Sequence, residues 1–179
     1  EAQALSLIRD WDLHTDTANR NAALGVCILL EEWQAERTGN PLPDARETLQ
    51  TCMESVRDVA GQLNPEWGAV QQHGRGQRTW PAAGGPDTLR AMYAEQLEDE
   101  DDFLTVVAGD GLYYLIEWNA EGEQTIRGTH QYGSQMIDES SPHYLDQAES
   151  FSQEIMRAPG FYPENRSATS KRYTVTSAD

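Results

Sequence analysis

Residues 103–147 contain the strongest strand and motif signals of the chain, and they read FLTVVAGDGLYYLIEWNAEGEQTIRGTHQYGSQMIDESSPHYLDQ. Two apolar runs that favour β-structure, residues 103–108 and 112–118, flank Gly109-Asp110-Gly111, and a third extended run covers residues 124–130. Asp-Gly between such runs is typical of a β-hairpin, because glycine supplies the positive φ that the turn needs. We therefore expect a three-stranded antiparallel meander. Its middle strand is apolar at nearly every position, so we expect both of its faces to be covered in a layered fold.

Two helices are expected before this meander. Apolar residues recur at helical spacing in two stretches, so each helix presents one stripe to a core. Asp16 or Thr17 is expected to cap the first helix. Asp44 and Glu47 have capping-box spacing at the start of the second helix, which is expected to end before Pro65. The stripes consist of Ala23, Val26, Cys27, Leu30 and Trp33, and of Leu49, Cys52, Met53, Val56, Ala60 and Leu63.

The composition divides the chain into four parts. We expect a helical segment with an antiparallel helix pair over residues 1–63, a loop-rich connection over 64–102, an antiparallel meander with a C-terminal helix over 103–162, and a polar tail over 163–179. A short helix or an irregular entry segment is expected within residues 1–15. Residues 71–78 are polar and contain two glycines, which predicts a loop with a small positive patch. Residues 89–94 are expected to form a strand that leads toward the meander.

The two cysteines, Cys27 and Cys52, have no CxxC or cysteine–histidine spacing of the kind that binds metals. Both fall on the apolar faces of the two expected helices. An antiparallel helix pair brings them to about the same level, where a disulfide requires a short Cα separation. The alternative is a pair of buried thiols that act as small apolar side chains. An exported protein favours the disulfide.

The charge balance is strongly acidic. The chain carries 30 acidic against 13 basic residues, a net charge of −17, and Lys171 is its single lysine. This balance argues against nucleic acid and anionic membranes as partners, because phosphate binding requires clustered Lys and Arg. It fits a high-salt environment or, as the interpretation we favour, a partner chain that carries the basic patches. No apolar run approaches the roughly 20 residues that span a bilayer.

An acidic cluster, residues 98–102, invites a calcium-binding interpretation, since calcium takes several oxygen ligands. The EF-hand spacing and its glycine are missing, so a solvated acidic turn before a strand is the favoured interpretation. No two histidines have the spacing of zinc ligands, and the sequence predicts no metal site.

Two segments carry a more specific signal: Tyr132-Gly133-Ser134-Gln135 and Ser141-Pro142-His143-Tyr144-Leu145-Asp146-Gln147. Together they resemble the C-terminal signature of the penicillin acylase family, in which a strand ends in a Tyr-Gly or Gly-Gly pair and Ser-Pro-His-Tyr-x-Asp-Gln opens the last helix. A weaker resemblance extends to Trp11-Asp12, Trp67-Gly68 and Gly84-Gly85-Pro86. The Tyr132-Gly133 form is similar to that of acylases acting on long acyl chains, such as acyl-homoserine-lactone acylases.

This resemblance implies a four-layer αββα fold of N-terminal nucleophile (Ntn) hydrolases, of which this chain is the C-terminal part of the β subunit. It implies an amidohydrolase that cleaves an N-acylated small molecule, such as an acyl-homoserine lactone or a penicillin, without a cofactor. Such enzymes use the α-amine of an N-terminal Ser, Thr or Cys as the base for its own side chain. This chain begins with Glu1. The nucleophile is therefore expected on a partner chain, no catalytic residue is assigned here, and a periplasmic or secreted location is implied.

An independent catalytic role is less favoured. Ser141, His143 and Asp146 invite a Ser-His-Asp interpretation, but neighbours on one helical turn rarely adopt triad geometry. We expect Ser141 to cap the last helix and Pro142 to occupy its first position. The helix is expected to continue through Ile155 and to end at Pro159-Gly160. The alternative function is a standalone acidic binding or interaction module without catalysis.

Overall fold

The computed structural model describes residues 1–97 and 103–158. Within these residues the chain is a mixed α+β protein, as the sequence predicts. No helix among them combines the length and the apolar character that a bilayer crossing requires. The elements in chain order are α1 (Ala2–Arg9), α2 (Ala22–Thr38), α3 (Ala45–Ala60), α4 (Trp67–Val70), β1 (Gln71–Arg75), β2 (Arg78–Pro81), β3 (Met92–Glu95), β4 (Leu104–Gly109), β5 (Leu112–Trp118), β6 (Gln124–His130) and α5 (Ala148–Ser152).

Three expectations concern residues outside the described part of the chain. They are the acidic turn at residues 98–102, the helix end at Pro159-Gly160 and the polar tail at residues 163–179. Of the two alternatives for residues 1–15, the structure has the short helix, α1, and Ala4 on that helix is fully buried.

The cap of α3 is confirmed. The Asp44 side chain has an oxygen, Oδ1, that accepts hydrogen bonds from the backbone amides of Arg46 at 3.0 Å and Glu47 at 3.1 Å. The carboxylate thereby satisfies first-turn amides that have no partner within the helix. The helix ends at Gly61, whose φ of 68° is left-handed, and so stops before the expected end at Pro65.

The expected cap of α2 at Asp16 or Thr17 is wrong, since the helix begins at Ala22. The carbonyl oxygen of Thr17 accepts a hydrogen bond from the amide of Gly68 at 2.8 Å, and that of Asn19 accepts one from the amide of Trp67 at 2.9 Å. These carbonyls bind the start of α4, so they are not available for bonds within a helix. The segment before α2 therefore docks α4 instead of extending α2.

A disulfide joins Cys27 of α2 to Cys52 of α3, with a Cα separation of 5.8 Å. The sequence left a disulfide and two buried thiols open, and the structure contains the disulfide. Cys52 is fully buried and belongs to a small apolar cluster beneath the helix pair. The other members of that cluster are Ala4, Leu24, Leu49 and Leu63. The bond therefore fixes the helix pair at the level where α1 packs against it.

The first sheet has four strands in the order β2-β1-β4-β3, and β1 and β2 form an antiparallel hairpin. The loop expected at residues 71–78 is therefore wrong. Gly76 supplies the turn with a φ of 58°, and the inward side chains of β1 are Gln71 and His73, both buried. The Gln71 amide group donates to the carbonyl oxygens of Ala82 at 3.2 Å and Gly84 at 3.1 Å. Polar residues on the buried face hid this strand, because a strand is normally recognised by its apolar alternation.

β3 overlaps the strand expected at residues 89–94, and it pairs with β4 on the side opposite β1. The expected hairpin between β4 and β5 is absent from the described residues, because β4 already has a neighbour on each edge. Asp110 explains the change of direction. Its amide donates to the Ala91 carbonyl oxygen at 2.8 Å, and its carboxylate accepts from the Ala91 amide at 3.0 Å. The turn residues thus bind the start of β3 rather than closing a hairpin.

The second part of the expected meander is confirmed, since β5 and β6 form a two-stranded antiparallel ribbon from Leu112↔His130 to Trp118↔Gln124. The expectation that both faces of β5 are covered is wrong, because most of its side chains are exposed. A two-stranded ribbon alone is at best marginally stable in water. The ribbon of β5 and β6 is held at the start of β5, where the Tyr113 ring packs against Phe151 of α5 with ring centroids 5.3 Å apart.

The last helix is shorter than expected at both ends. Ser141 does not cap it, since residues 141–147 form turns and α5 begins at Ala148. It ends at Ser152, before Ile155. The Ser152 hydroxyl donates to the carbonyl oxygen of Pro81 at the end of β2. Because α5 also contacts β6, it joins the four-stranded sheet to the ribbon.

The disulfide is expected to stabilise the protein by restricting the unfolded chain, which it closes into a loop with a sequence separation of 25. Replacing both cysteines, Cys27→Ala with Cys52→Ala, should lower the free energy of unfolding by about 3 kcal/mol. Urea unfolding with and without a reductant measures this. The double variant is its own control, because a reductant should shift the wild-type midpoint and leave the variant unchanged. Equal midpoints for wild type with and without reductant would contradict the prediction.

Candidate functional site

The two segments that resemble the acylase signature lie against each other. The amide of Gly133 donates to the Tyr144 carbonyl oxygen at 3.2 Å, and the amide of Gln135 donates to the His143 carbonyl oxygen at 3.0 Å. A Cβ atom at position 133 would collide with the His143 carbonyl oxygen, so only glycine permits this approach. The sequence identified both segments, and the structure brings them into one unit.

Arg75, at the end of β1, holds this unit together. Its guanidinium donates to the Tyr144 carbonyl oxygen at 3.0 Å and to the Gln135 carbonyl oxygen at 3.1 Å. The same group lies over the rings of Tyr144 and Tyr132, 4.2 Å and 4.6 Å from their centroids. A planar guanidinium suits this position, because it forms several directed hydrogen bonds while its faces stack on aromatic rings. Arg75 therefore ties the β1–β2 hairpin to both signature segments.

His143 and Asp146 form a pair at the surface of this unit. The imidazole Nδ1 lies 3.0 Å from the Asp146 carboxylate, and the two side chains are 65% and 38% exposed. The Ser141 hydroxyl oxygen accepts a hydrogen bond from the backbone amide of His143 at 3.2 Å. That hydroxyl thus stabilises the turn instead of pairing with the imidazole ring. Among the described residues this arrangement supports a structural role for all three side chains and not a catalytic triad.

A buried polar cluster lies directly behind the signature segments, with His73 of β1 at its centre. His73 is fully buried, and its Nδ1 lies 2.9 Å from the side-chain amide of Gln131, the residue before Tyr132. Its Nε2 has no hydrogen-bond partner. Burial, together with the positive charge of Arg90, lowers the pKa of His73 to about 4. The ring is therefore neutral at physiological pH.

Arg90 connects the same cluster to α5. Its guanidinium pairs with Glu154 at 2.9 Å and donates to the Phe151 carbonyl oxygen. It also lies over the Phe151 ring, 4.6 Å from the centroid, and 5.6 Å from the centroid of Tyr113. The His73 ring also contacts Phe151, at 5.5 Å between centroids. One buried phenylalanine thus contacts both a neutral histidine and a permanently charged arginine.

A separate open groove of about 760 Å³ lies between α2 and the β3–β4 side of the first sheet. Its walls are mostly apolar. The volume falls within the range of small-molecule sites, and a groove of this kind also suits a packing partner. The main apolar lining residues are Val26, Leu30, Trp33, Met92, Leu104 and Val107.

The described residues contain no group of three His, Cys, Asp or Glu side chains placed to hold a metal ion. His130 is exposed at the end of β6. Sequence reasoning missed the roles of Arg75 and Arg90. The one signal for Arg75 was Gly76-Gln77, a dipeptide typical of a two-residue hairpin turn, which places Arg75 and Arg78 opposite each other. No model of a known protein family matches this chain.

Arg75 is expected to stabilise the protein more than an exposed arginine of the same charge does. Arg75→Gln removes two charged hydrogen bonds to carbonyl oxygens, which should lower the free energy of unfolding by about 2 kcal/mol. Arg78→Gln is the matched control: it removes the same charge from the facing, exposed position of the hairpin. Urea unfolding of both variants measures the difference. Equal losses of unfolding free energy in the two variants would show that the Arg75 hydrogen bonds to Gln135 and Tyr144 add no stability.

His73 is expected to make the protein sensitive to acid. The unfolded chain binds a proton below the ordinary pKa of 6.5, whereas the native ring binds one only below about 4. Stability from this group is therefore complete above pH 6.5 and is lost as the pH falls toward 4. The loss should reach about 3 kcal/mol, and urea unfolding across this pH range measures it.

His73→Gln should remove this slope, whatever its effect on stability at neutral pH. His130→Gln removes an exposed imidazole and serves as the matched control, which should keep the slope. If His73→Gln retains the wild-type slope, the acid sensitivity belongs to other groups.

Proposed function

We propose that this chain is the C-terminal part of the β subunit of a penicillin-acylase-like Ntn amidohydrolase. The observation that supports this best is the joining of the two signature segments, Tyr132–Gln135 and Ser141–Gln147, through the backbone of Gly133 and the guanidinium of Arg75. Both segments also contact the guanidinium of Arg75, which is distant in sequence, so they form one hydrogen-bonded unit with the first sheet. The enzyme hydrolyses the amide of an N-acylated small molecule, such as an acyl-homoserine lactone or a penicillin.

Under this proposal the nucleophile is the hydroxyl of an N-terminal Ser on a partner chain. The α-amine of this Ser takes the hydroxyl proton, and the Ser oxygen attacks the carbonyl carbon of the substrate amide. The α-amine then gives the proton to the substrate nitrogen, which leaves as the free amine. Water then attacks the resulting ester, releasing the carboxylic acid and restoring the hydroxyl. Every step uses the partner's groups, and none needs a cofactor. This chain contributes the scaffold that surrounds the site.

The layers of the protein fit this role. The helices α2 and α3 share an apolar cluster with Trp67 of α4, which includes Val26 and Val56, and α4 contacts β1 and β2 of the first sheet. The ribbon of β5 and β6 keeps an apolar strand exposed. A four-layer αββα fold stacks two sheets face to face between helical layers, so its remaining layers would cover this strand and the open groove beside α2. We propose that the partner chain supplies them.

The disulfide supports export of the enzyme to the periplasm or outside the cell. Disulfides form and persist in oxidising compartments and are rare in the reducing cytosol. The Cys27–Cys52 bond lies in a helix pair with no catalytic role, so a structural and not a redox function fits it. An oxidising location also agrees with the location of the resembled family.

Covalent labelling of the native assembly tests the proposal. The protein is purified from its source without denaturant and assayed with N-acyl p-nitroanilides of short, aromatic and long acyl chains. It is then treated with a sulfonyl fluoride, which reacts with activated hydroxyl groups. We expect amide hydrolysis, loss of activity on labelling, and one label on the N-terminal Ser of the partner chain.

Two results would contradict the proposal. A label on this chain, for example on Ser141, would place the nucleophile here and revive the triad interpretation. An assembly that hydrolyses none of the amides and takes up no label would favour the acidic binding module without catalysis.

A further inference from the structure

The outer edge of β5 has no neighbouring strand among the described residues. β5 pairs with β6 on one side only, and the strand before it, β4, is already paired on both edges. The opposite edge of the ribbon is different, because Gly128 of β6 exchanges two backbone hydrogen bonds with Arg157, at 2.8 Å and 2.9 Å. The ribbon therefore has one partly covered edge and one open edge.

The backbone register shows which groups face the open edge. The Gln131 amide donates to the Gly111 carbonyl oxygen at one end of the ribbon, and the Asn119 amide donates to the Glu123 carbonyl oxygen at the other. Odd-numbered residues of β5 therefore bond to β6, since the bonded pairs of an antiparallel ladder alternate. The even-numbered residues direct their amide and carbonyl groups outward. These residues are Leu112, Tyr114, Ile116 and Trp118.

The same four residues carry exposed apolar side chains, on one face of the ribbon. Leu112 and Tyr114 are each 46% exposed, Ile116 is 42% and Trp118 is 64% exposed. The single charge on the strand, Glu117, is paired with Arg127 of β6 at 2.7 Å. Soluble proteins usually protect such an edge with lysine, proline or a bulge, because it is a template for another strand. β5 has none of these protections, so its edge is available for pairing with another strand.

The charge of the chain selects the kind of partner. A second copy would bring another net charge of −17 into the complex, and the two copies would repel each other. A segment that adds to β5 must be extended, apolar at alternate positions and neutral or basic at its flanks. Backbone hydrogen bonds supply affinity in this mode of binding, and the alternate apolar side chains supply specificity.

We propose that β5 receives a strand of the partner chain, which adds along residues 112–118 and extends the ribbon into a larger sheet. The identity of that partner rests on the proposed function, in which the partner is the nucleophile-bearing chain. The edge itself is defined by the register and exposure of β5 alone. Strand addition would also cover the exposed apolar face, since side chains of the new strand lie beside Tyr114 and Ile116.

Amide hydrogen exchange of the native assembly, resolved to single residues, tests this inference with an internal control. Tyr113 and Leu115 direct their amides toward β6, so the ribbon alone protects them. Tyr114 and Ile116 are protected only if another strand is present. We expect the even-numbered amides to exchange at least about tenfold more slowly than unprotected amides, close to their odd-numbered neighbours. The masses of all chains are determined in the same sample.

A proline variant gives an independent test. Ile116→Pro removes an outward amide and leaves the bonds to β6 in place, which is compatible with an open edge. It should weaken retention of this chain in the assembly by roughly tenfold. Ile116→Val keeps the amide and the β-branched shape and is the matched control. An intact ribbon in the proline variant is verified by continued protection of Tyr113 and Leu115.

Slow even-numbered amides with a larger partner chain present would support the inference. Fast even-numbered amides with that chain bound would overturn it and leave the proposed function standing. Slow amides in a dimer of this chain alone would overturn the choice of partner and the proposed function together.

Discussion

The interlocked unit around the two signature segments depends on the position of Arg75. Its guanidinium bonds to the carbonyl oxygens of Gln135 and Tyr144 and stacks between two tyrosine rings. The segment before α5 has no regular secondary structure, and the Tyr144 carbonyl oxygen already accepts from the Gly133 amide, so the guanidinium adds a second donor there. This charged donor at the end of β1 links the first sheet to the C-terminal turns. Gly133 completes the arrangement by allowing the two backbones to meet.

Behind this unit the interior is unusually polar. Gln71, His73 and Arg90 all lie in the core, and each is held by backbone carbonyls or by a neighbouring side chain. Buried polar groups of this kind are specific in their demands, because each needs its own partner. The contacts among the first sheet, the ribbon and α5 therefore rely on directed hydrogen bonds more than on buried apolar area. The outer faces present the opposite pattern, with an apolar groove beside α2 and an apolar edge at β5 left open. These uncovered apolar faces support the proposal that another polypeptide packs against this chain.

The sequence predicted most of the local structure and less of the pairing. Helix α3 and its Asp44 cap, the ribbon of β5 and β6 and the proximity of Cys27 and Cys52 all follow from short-range patterns. The β1–β2 hairpin was missed because its inward residues, Gln71 and His73, are polar and satisfied by partners distant in sequence. The hairpin at Gly109-Asp110-Gly111 failed because Asp110 binds the backbone of Ala91, a long-range contact that no local pattern encodes. The signature segments were found by resemblance, but Arg75, which joins them, carries no motif of its own.

Native mass spectrometry of the protein purified from its source, without denaturant, tests most directly whether this chain works as part of a larger enzyme. We expect a complex that contains this 20.0 kDa chain and a second, larger chain, and N-terminal sequencing should show that the larger chain begins with Ser. A monomer of 20.0 kDa that is folded, active in no amide hydrolysis and free of any partner would contradict the account.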